Sequence, residues 1–135
     1  MTISLGDILS FISIAVAVIT FFVTRYRTQK VETLQKIDEL TEGYYDVRDK
    51  DVSKDYKEYV SYLSKLDRFA KAVNQHVYQE RVVKKHDLFF KTLYHHGFIQ
   101  KLVPQRRKQF KRESYYQDLE IMLKKLGVCE KIEGI

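Results

Sequence analysis

Hydrophobic and polar positions divide the chain into one unbroken apolar run and a longer stretch of helical periodicity. Residues 8–24 read ILSFISIAVAVITFFVT, with no charge, no Pro and no Gly, and with Ser10, Ser13, Thr20 and Thr24 as the only polar side chains. A helix of this length rises about 25 Å, against a hydrocarbon core roughly 30 Å thick. The run predicts a short transmembrane helix that Leu5, Gly6 and Tyr26 extend into the interfaces. A buried core helix would need apolar partners on every side, which so charged a remainder does not offer. A cleaved signal needs a basic n-region and a small-residue cleavage site, and MTISLGD is acidic with no such site after the run. An interfacial helix needs a charged face, and this run has none.

After the run the period becomes helical. Residues 25–42 form a juxtamembrane helix with Val31, Leu34, Ile37 and Leu40 three apart. That spacing drifts around a helix, so it gives one broad packing face rather than a clean heptad seam. Residues 43–53, GYYDVRDKDVS, read as a loop, with Asp51 or Ser53 as N-cap of the next helix. Residues 54–75 form that helix, the clearest amphipathic one in the chain, with Tyr56, Tyr59, Val60, Leu63, Leu66, Ala70, Val73 and, just past its end, Val77 at steps of three or four on one side. Another helix is expected from Gln79 or Glu80 to Tyr94 or His95, closed by Gly97. FIQKLVPQRRKQFKR is helical with a kink or a new start at Pro104. A last helix spans about 114–126 and ends at Gly127, and residues 128–135 form a loose tail. Nothing alternates with a two-residue period. The pattern therefore predicts an all-α fold: residues 1–7 outside, a span at 8–24, a juxtamembrane helix at 25–42, and a small three- to four-helix cytoplasmic domain at 43–127.

Composition adds orientation. The 135 residues hold 24 Lys or Arg and 18 Asp or Glu, yet no base precedes Arg25. Arg25, Arg27 and Lys30 follow the run directly, so the positive-inside bias puts the C-terminal part in the cytoplasm, beneath the cell's inner (cytoplasmic) membrane. Arg25, Tyr26 and Arg27 are the expected membrane-interface residues, the arginines snorkelling and the tyrosine at headgroup level. The single Cys129 suits a reducing compartment. The ten Tyr and eight Phe supply much of the core.

The positive excess is concentrated in residues 81–112, with ten basic side chains against the single acid Asp87. It peaks at Arg106, Arg107, Lys108, Lys111 and Arg112. This cluster fits anionic lipid headgroups, with Phe110 as an insertion point. The alternative is nucleic acid, with Tyr115 and Tyr116 stacking on bases, and a plain solvated helix face carries the same pattern.

Candidate chemistry is sparse. His76, His86, His95 and His96 lack the spacing of a helical zinc site, so no metal is expected. Asp38, Glu39 and Glu42 suit helical ion pairs, and Asp46, Asp49 and Asp51 suit a solvated loop. No phosphate-binding glycine loop, nucleophile elbow or other cofactor signature occurs, so no cofactor and no enzymatic activity are expected. Arg81-Val-Val-Lys-Lys-His86 resembles the Arg-x4-6-His signature of the all-α HEPN ribonucleases. That resemblance implies RNA cleavage by Arg81 and His86 as an alternative. Val82 stands where that family usually has a polar residue, and residues five apart lie about 140° apart on a helix.

Residues 62–126 also resemble a family of small bacterial and phage-associated proteins that pair an N-terminal span with a short all-α cytoplasmic domain of unknown function. The resemblance is carried by YLSKLDRFAKAVNQHVY, ERVVKKHDLFF, FIQKLVPQRRKQ and YYQDLEIMLKKL. Where the family often has an acid after the first aromatic, this chain has Arg68-Phe69-Ala70. The resemblance implies architecture and no catalytic residues, with a phage-exclusion role as an alternative. The function expected is interaction or positioning at the membrane face. Leu34, Ile37 and Leu40, with any exposed Tyr, are the expected seat of a protein partner or a homodimer.

Overall fold

The computed structural model describes residues 2–132. Among them the chain is all-helical, with α1 (Leu5–Val47), α2 (Tyr56–Asn74), α3 (Glu80–Lys85), α4 (Asp87–His96), α5 (Phe98–Phe110) and α6 (Gln117–Lys125). The expected span and juxtamembrane helix are one uninterrupted helix of 43 residues. It opens on a capping box. Ser4 Oγ accepts from the Asp7 N–H and Asp7 Oδ2 accepts from the Ser4 N–H, both at 3.2 Å, which satisfies two of the donors that a helix start leaves free.

The two halves of α1 have different surroundings. Every residue from Thr2 to Thr28 is exposed, so the apolar half stands free of the rest of the chain. In the lower half, Thr33, Ile37, Leu40, Tyr44 and Val47 are buried at alternating steps of four and three, which is a stripe along one helix face. α2 returns antiparallel along this stripe. The Tyr59 hydroxyl donates to the Val47 carbonyl at 2.6 Å, and the Tyr62 hydroxyl to the Leu40 carbonyl at 2.6 Å. Nearer the apolar half, Gln29 Nε2 donates to the carbonyls of His76 and Val77 at 2.8 and 2.9 Å.

Ile37 and Leu40 are therefore core residues and Leu34 packs against them. The expected homodimer seam at Leu34, Ile37 and Leu40 is already occupied by the chain's own domain. Gly43 does not start a loop. The buried Tyr62 ring lies where a side chain would stand, 3.0 Å from the position of an added Cβ. Gly43 is thus the close-approach point of α1 and α2, and the helix continues to Val47.

Other boundaries also differ from expectation. α2 begins at Tyr56 because Asp51 Oδ1 accepts from the N–H groups of Ser53 and Lys54, which closes a turn before the helix. The segment expected as one helix from residue 79 or 80 breaks at His86. Val82 and Val83 can thus pack toward α1 while Phe90 and Leu93 join the core beside α5. Pro104 lies inside α5 and no new helix starts there. Gly97 caps α4 in the left-handed region, as expected.

α6 packs along α2. Asn74 Nδ2 donates to the Asp118 carbonyl at 3.0 Å, and the Leu119 N–H donates to Asp67 Oδ1 at 3.1 Å. The expected loose tail is docked as far as it is described. Val128 and Cys129 pack on the core and Ile132 is buried, while residues 133–135 lie outside the described residues. The centre of the domain is Tyr59, Leu63, Leu66, Phe90, Leu93, Phe98, Leu102, Leu119 and Leu123.

Candidate functional site

Two regions carry the side chains expected to act, and they lie at opposite ends of the domain. The first is where the domain meets the apolar half of α1. The turn between α2 and α3 is tied to α1 there. Gln79 Nε2 donates to the Tyr26 carbonyl at 2.8 Å, and the Gln79 N–H donates to Thr33 Oγ1 at 3.0 Å. Thr33 in turn donates to the Gln29 carbonyl. These bonds begin within two residues of Thr24, so the domain is fastened directly beneath the apolar run. His76 adopts a left-handed backbone (φ 61°), which lets the turn reverse this tightly. Arg25, Tyr26 and Arg27 are all exposed at this boundary. A cavity of about 540 Å³ opens between α1 and the turn, lined among others by Phe21, Arg25, Thr28, Glu32, Gln75 and His76.

The second region is the basic cluster at the end of α5. Arg106 Nη1 donates to the Tyr56 hydroxyl at 3.1 Å, and Lys101 Nζ donates to Ser53 Oγ at 3.0 Å. Tyr56 opens α2 one turn before Tyr59, whose hydroxyl meets Val47 at the foot of α1. From Tyr26 to Val47 an α-helix rises about 30 Å. This part of the cluster therefore sits at the end of the domain farthest from the apolar run. Arg112 lies beside Ser64, Asp67 and Arg68, part of the way back along α2.

The five expected cations do not share one role. Arg107 is buried, 3 % exposed. Its Nε donates to the Tyr115 carbonyl at 2.7 Å, and its Nη1 to Glu120 Oε2 at 3.3 Å and to the Ile132 carbonyl at 3.1 Å. Glu120 also accepts the Ile132 N–H at 2.8 Å. Arg107 is thus a structural clamp and is removed from the expected anion-binding set. Its place on α5 points it inward, because Val103 and Leu102 one turn earlier face the same core. Arg106 is half-buried, with its guanidinium 5.0 Å from the Phe110 ring centre and 5.6 Å from that of Tyr115. Lys108, Lys111 and Arg112 are exposed. Phe110 remains 47 % exposed while stacked on Tyr115, centroids 5.6 Å apart and planes within 10°. Tyr116, expected beside Tyr115 as a stacking residue, is buried.

Arg81 is exposed, and His86 is half-buried with Nδ1 2.9 Å from the Val82 carbonyl at the break between α3 and α4. His96 faces the core edge, its Nε2 2.7 Å from the Arg48 carbonyl and its ring between Tyr44, Tyr59 and Phe98. Among the described residues no three His, Cys, Asp or Glu side chains converge as a metal site would require. Burial displaces the titration of several side chains, Asp67 and Cys129 among them. Burial pushes the Asp67 carboxyl above its ordinary value, opposed by the Leu119 N–H it accepts. Burial, with the nearby Glu120 carboxylate, pushes the Cys129 thiol up.

The cavity beneath the apolar run has no signature in the residue order, because it joins Arg25 and Glu32 to residues 75–77 across a fold contact. Comparison with protein-family models, with curated proteins and with solved structures returns no match, so its chemistry is read from its own residues.

Proposed function

We propose that the chain is a single-span membrane protein that holds a rigid helical module at the cytoplasmic face, for interaction or positioning rather than turnover. One observation carries this reading. α1 is continuous, its upper half uncovered and apolar, its lower half the backbone of the domain core. An uncovered run of Ile, Val and Phe is unfavourable in water by about 25 cal/mol per Å², and a bilayer removes that cost. Because no loop interrupts α1 between the run and the core, the domain rides on the span as one body.

With residues 8–24 in the bilayer, Arg106 and Lys108 stand far below the headgroups, well beyond a Debye length of about 8 Å. This favours a partner in the cytoplasm over the protein's own leaflet as the target of the basic face. Phe110, stacked on Tyr115 and flanked by Lys108, Lys111 and Arg112, favours single-stranded nucleic acid as that partner. Cations along a backbone with an exposed aromatic ring are the elements such binding uses.

The membrane reading is tested with Ala15→Arg and Ile19→Arg together. The unaltered protein is expected in the alkali-resistant membrane fraction and the double variant in the supernatant. Alkaline extraction of the unaltered protein overturns the reading. For the nucleic-acid partner, Lys108→Ala with Lys111→Ala is expected to flatten the salt dependence of oligonucleotide binding, with a slope reduced by about 1.4 for two lost phosphate contacts on single strands. An unchanged slope removes this partner.

A further inference from the structure

The cavity between α1 and the α2–α3 turn is a candidate binding site that the anchoring reading does not itself require. Its walls alternate in chemistry along the direction of the span. Phe21 lies at the apolar end, Arg25 and Thr28 come next, and Glu32 lies at the far end, with Gln75 and His76 forming the opposite wall. Arg25 and Glu32 are two helical turns apart on one face, about 10 Å along the axis. Both side chains are exposed and neither forms an ion pair among the described residues, so both are free to meet a ligand in the cavity. A cation and a carboxylate along one wall of the cavity, with amide and imidazole groups on the opposite wall and an aromatic ring at the apolar end, match a ligand that is apolar, then anionic, then cationic.

We propose that this cavity seats the headgroup of a phospholipid with a primary ammonium. The acyl-chain region would meet Phe21, the phosphate Arg25, Thr28 and His76, and the ammonium Glu32. The assignment rests on the span reading. In that reading residues 8–24 rise about 25 Å through the hydrocarbon core, and Arg25, directly after them, stands at the headgroup level where lipid phosphates lie. Glu32 selects the ammonium type. A primary ammonium donates up to three hydrogen bonds to a carboxylate, while a choline headgroup has no N–H to donate and a glycerol headgroup has no cation. The left-handed backbone of His76 and the Gln29 bonds hold the turn in place, so the wall exists before any lipid arrives.

The test uses the full chain in nanodiscs of mixed phosphatidylethanolamine, phosphatidylcholine and phosphatidylglycerol. The protein is released into detergent and retained lipid is counted by native mass spectrometry. Phosphatidylethanolamine is expected to be retained about tenfold over phosphatidylcholine. Glu32→Gln, at an exposed position, should bring that ratio to about one. His76→Gly, which suits the left-handed backbone, should lower total retained lipid. Equal retention by the unaltered protein, or a preference that survives Glu32→Gln, overturns the proposal. Displacement of the lipid by excess inorganic phosphate alone also overturns it, since the site would then be one for soluble anions. Failure of the chain to enter nanodiscs overturns the span reading and the headgroup site together, whereas entry without discrimination removes only the headgroup site.

Discussion

Replacing Arg107 by Ala tests whether this arginine is a clamp or a surface cation. The side chain is 3 % exposed and serves two backbone carbonyls, Tyr115 and Ile132, and the Glu120 carboxylate. Removing one partner of a buried ion pair costs about 3–5 kcal/mol. Glu120 keeps 23 % of its side-chain surface in water and still accepts the Ile132 N–H, so solvent repairs part of the loss. The expected destabilisation is about 2–4 kcal/mol. At about 4–8 °C per kcal/mol for a domain of this size, Tm should fall by roughly 8–30 °C. With ten Tyr and no Trp, near-ultraviolet circular dichroism of the full chain in detergent follows the tyrosine-rich core directly. The double variant Arg107→Met with Glu120→Met should recover the charge contribution only. It keeps a deficit of about 1–3 kcal/mol for each group left unpaired, the Tyr115 and Ile132 carbonyls and the Ile132 N–H that Glu120 accepts. A Tm change below about 2 °C for Arg107→Ala, accompanied by lost binding of anionic ligands, would refute the clamp and return Arg107 to the basic face.

Three further outcomes are expected. Asp67 has a raised folded pKa, so the native state takes up its proton before the unfolded state does. Its contribution then rises as pH falls through the folded pKa toward 3.8 and is unfavourable at neutral pH. Asp67→Asn, which keeps an oxygen for the Leu119 N–H, should match or exceed wild-type stability at pH 7 and lose that advantage in acid, as read by denaturant unfolding at several pH values. Cys129, half-buried with a raised thiol pKa, should react with maleimide several-fold more slowly than an unfolded-chain thiol, and Arg107→Ala should speed the reaction by undocking the tail. Gly43→Ala gains roughly 1 kcal/mol of helix propensity, but the Tyr62 ring is held by its bond to Leu40 and cannot retreat. The variant should therefore be destabilised in thermal unfolding, and stabilisation would show that the two helices separate easily.

The sequence is legible where local pattern and tertiary contact agree. The apolar run, the amphipathic α2 and the Gly97 cap arise from composition and period alone. It is illegible where a distant side chain decides. Gly43 reads as a helix breaker until Tyr62 is laid against it, and the break at His86 arises because α3 and α4 face different partners. Tyr116 stands outside the last helix with a left-handed backbone, while Arg107 holds the Tyr115 carbonyl beside it. The basic cluster shows the same division. Its charge is plain in the residue order, but only the antiparallel return of α2 turns Arg107 inward and sets Arg106 beside Tyr56, far from the apolar run.

The central claim is that residues 8–24 cross the bilayer once and leave the helical domain on the cytoplasmic side. Labelling with a membrane-impermeant maleimide tests it most directly, using Thr2→Cys and Ser53→Cys in a Cys129→Ser background. Position 2 should label in intact cells, and position 53 only after the membrane is opened. Labelling of position 53 in intact cells would contradict the account.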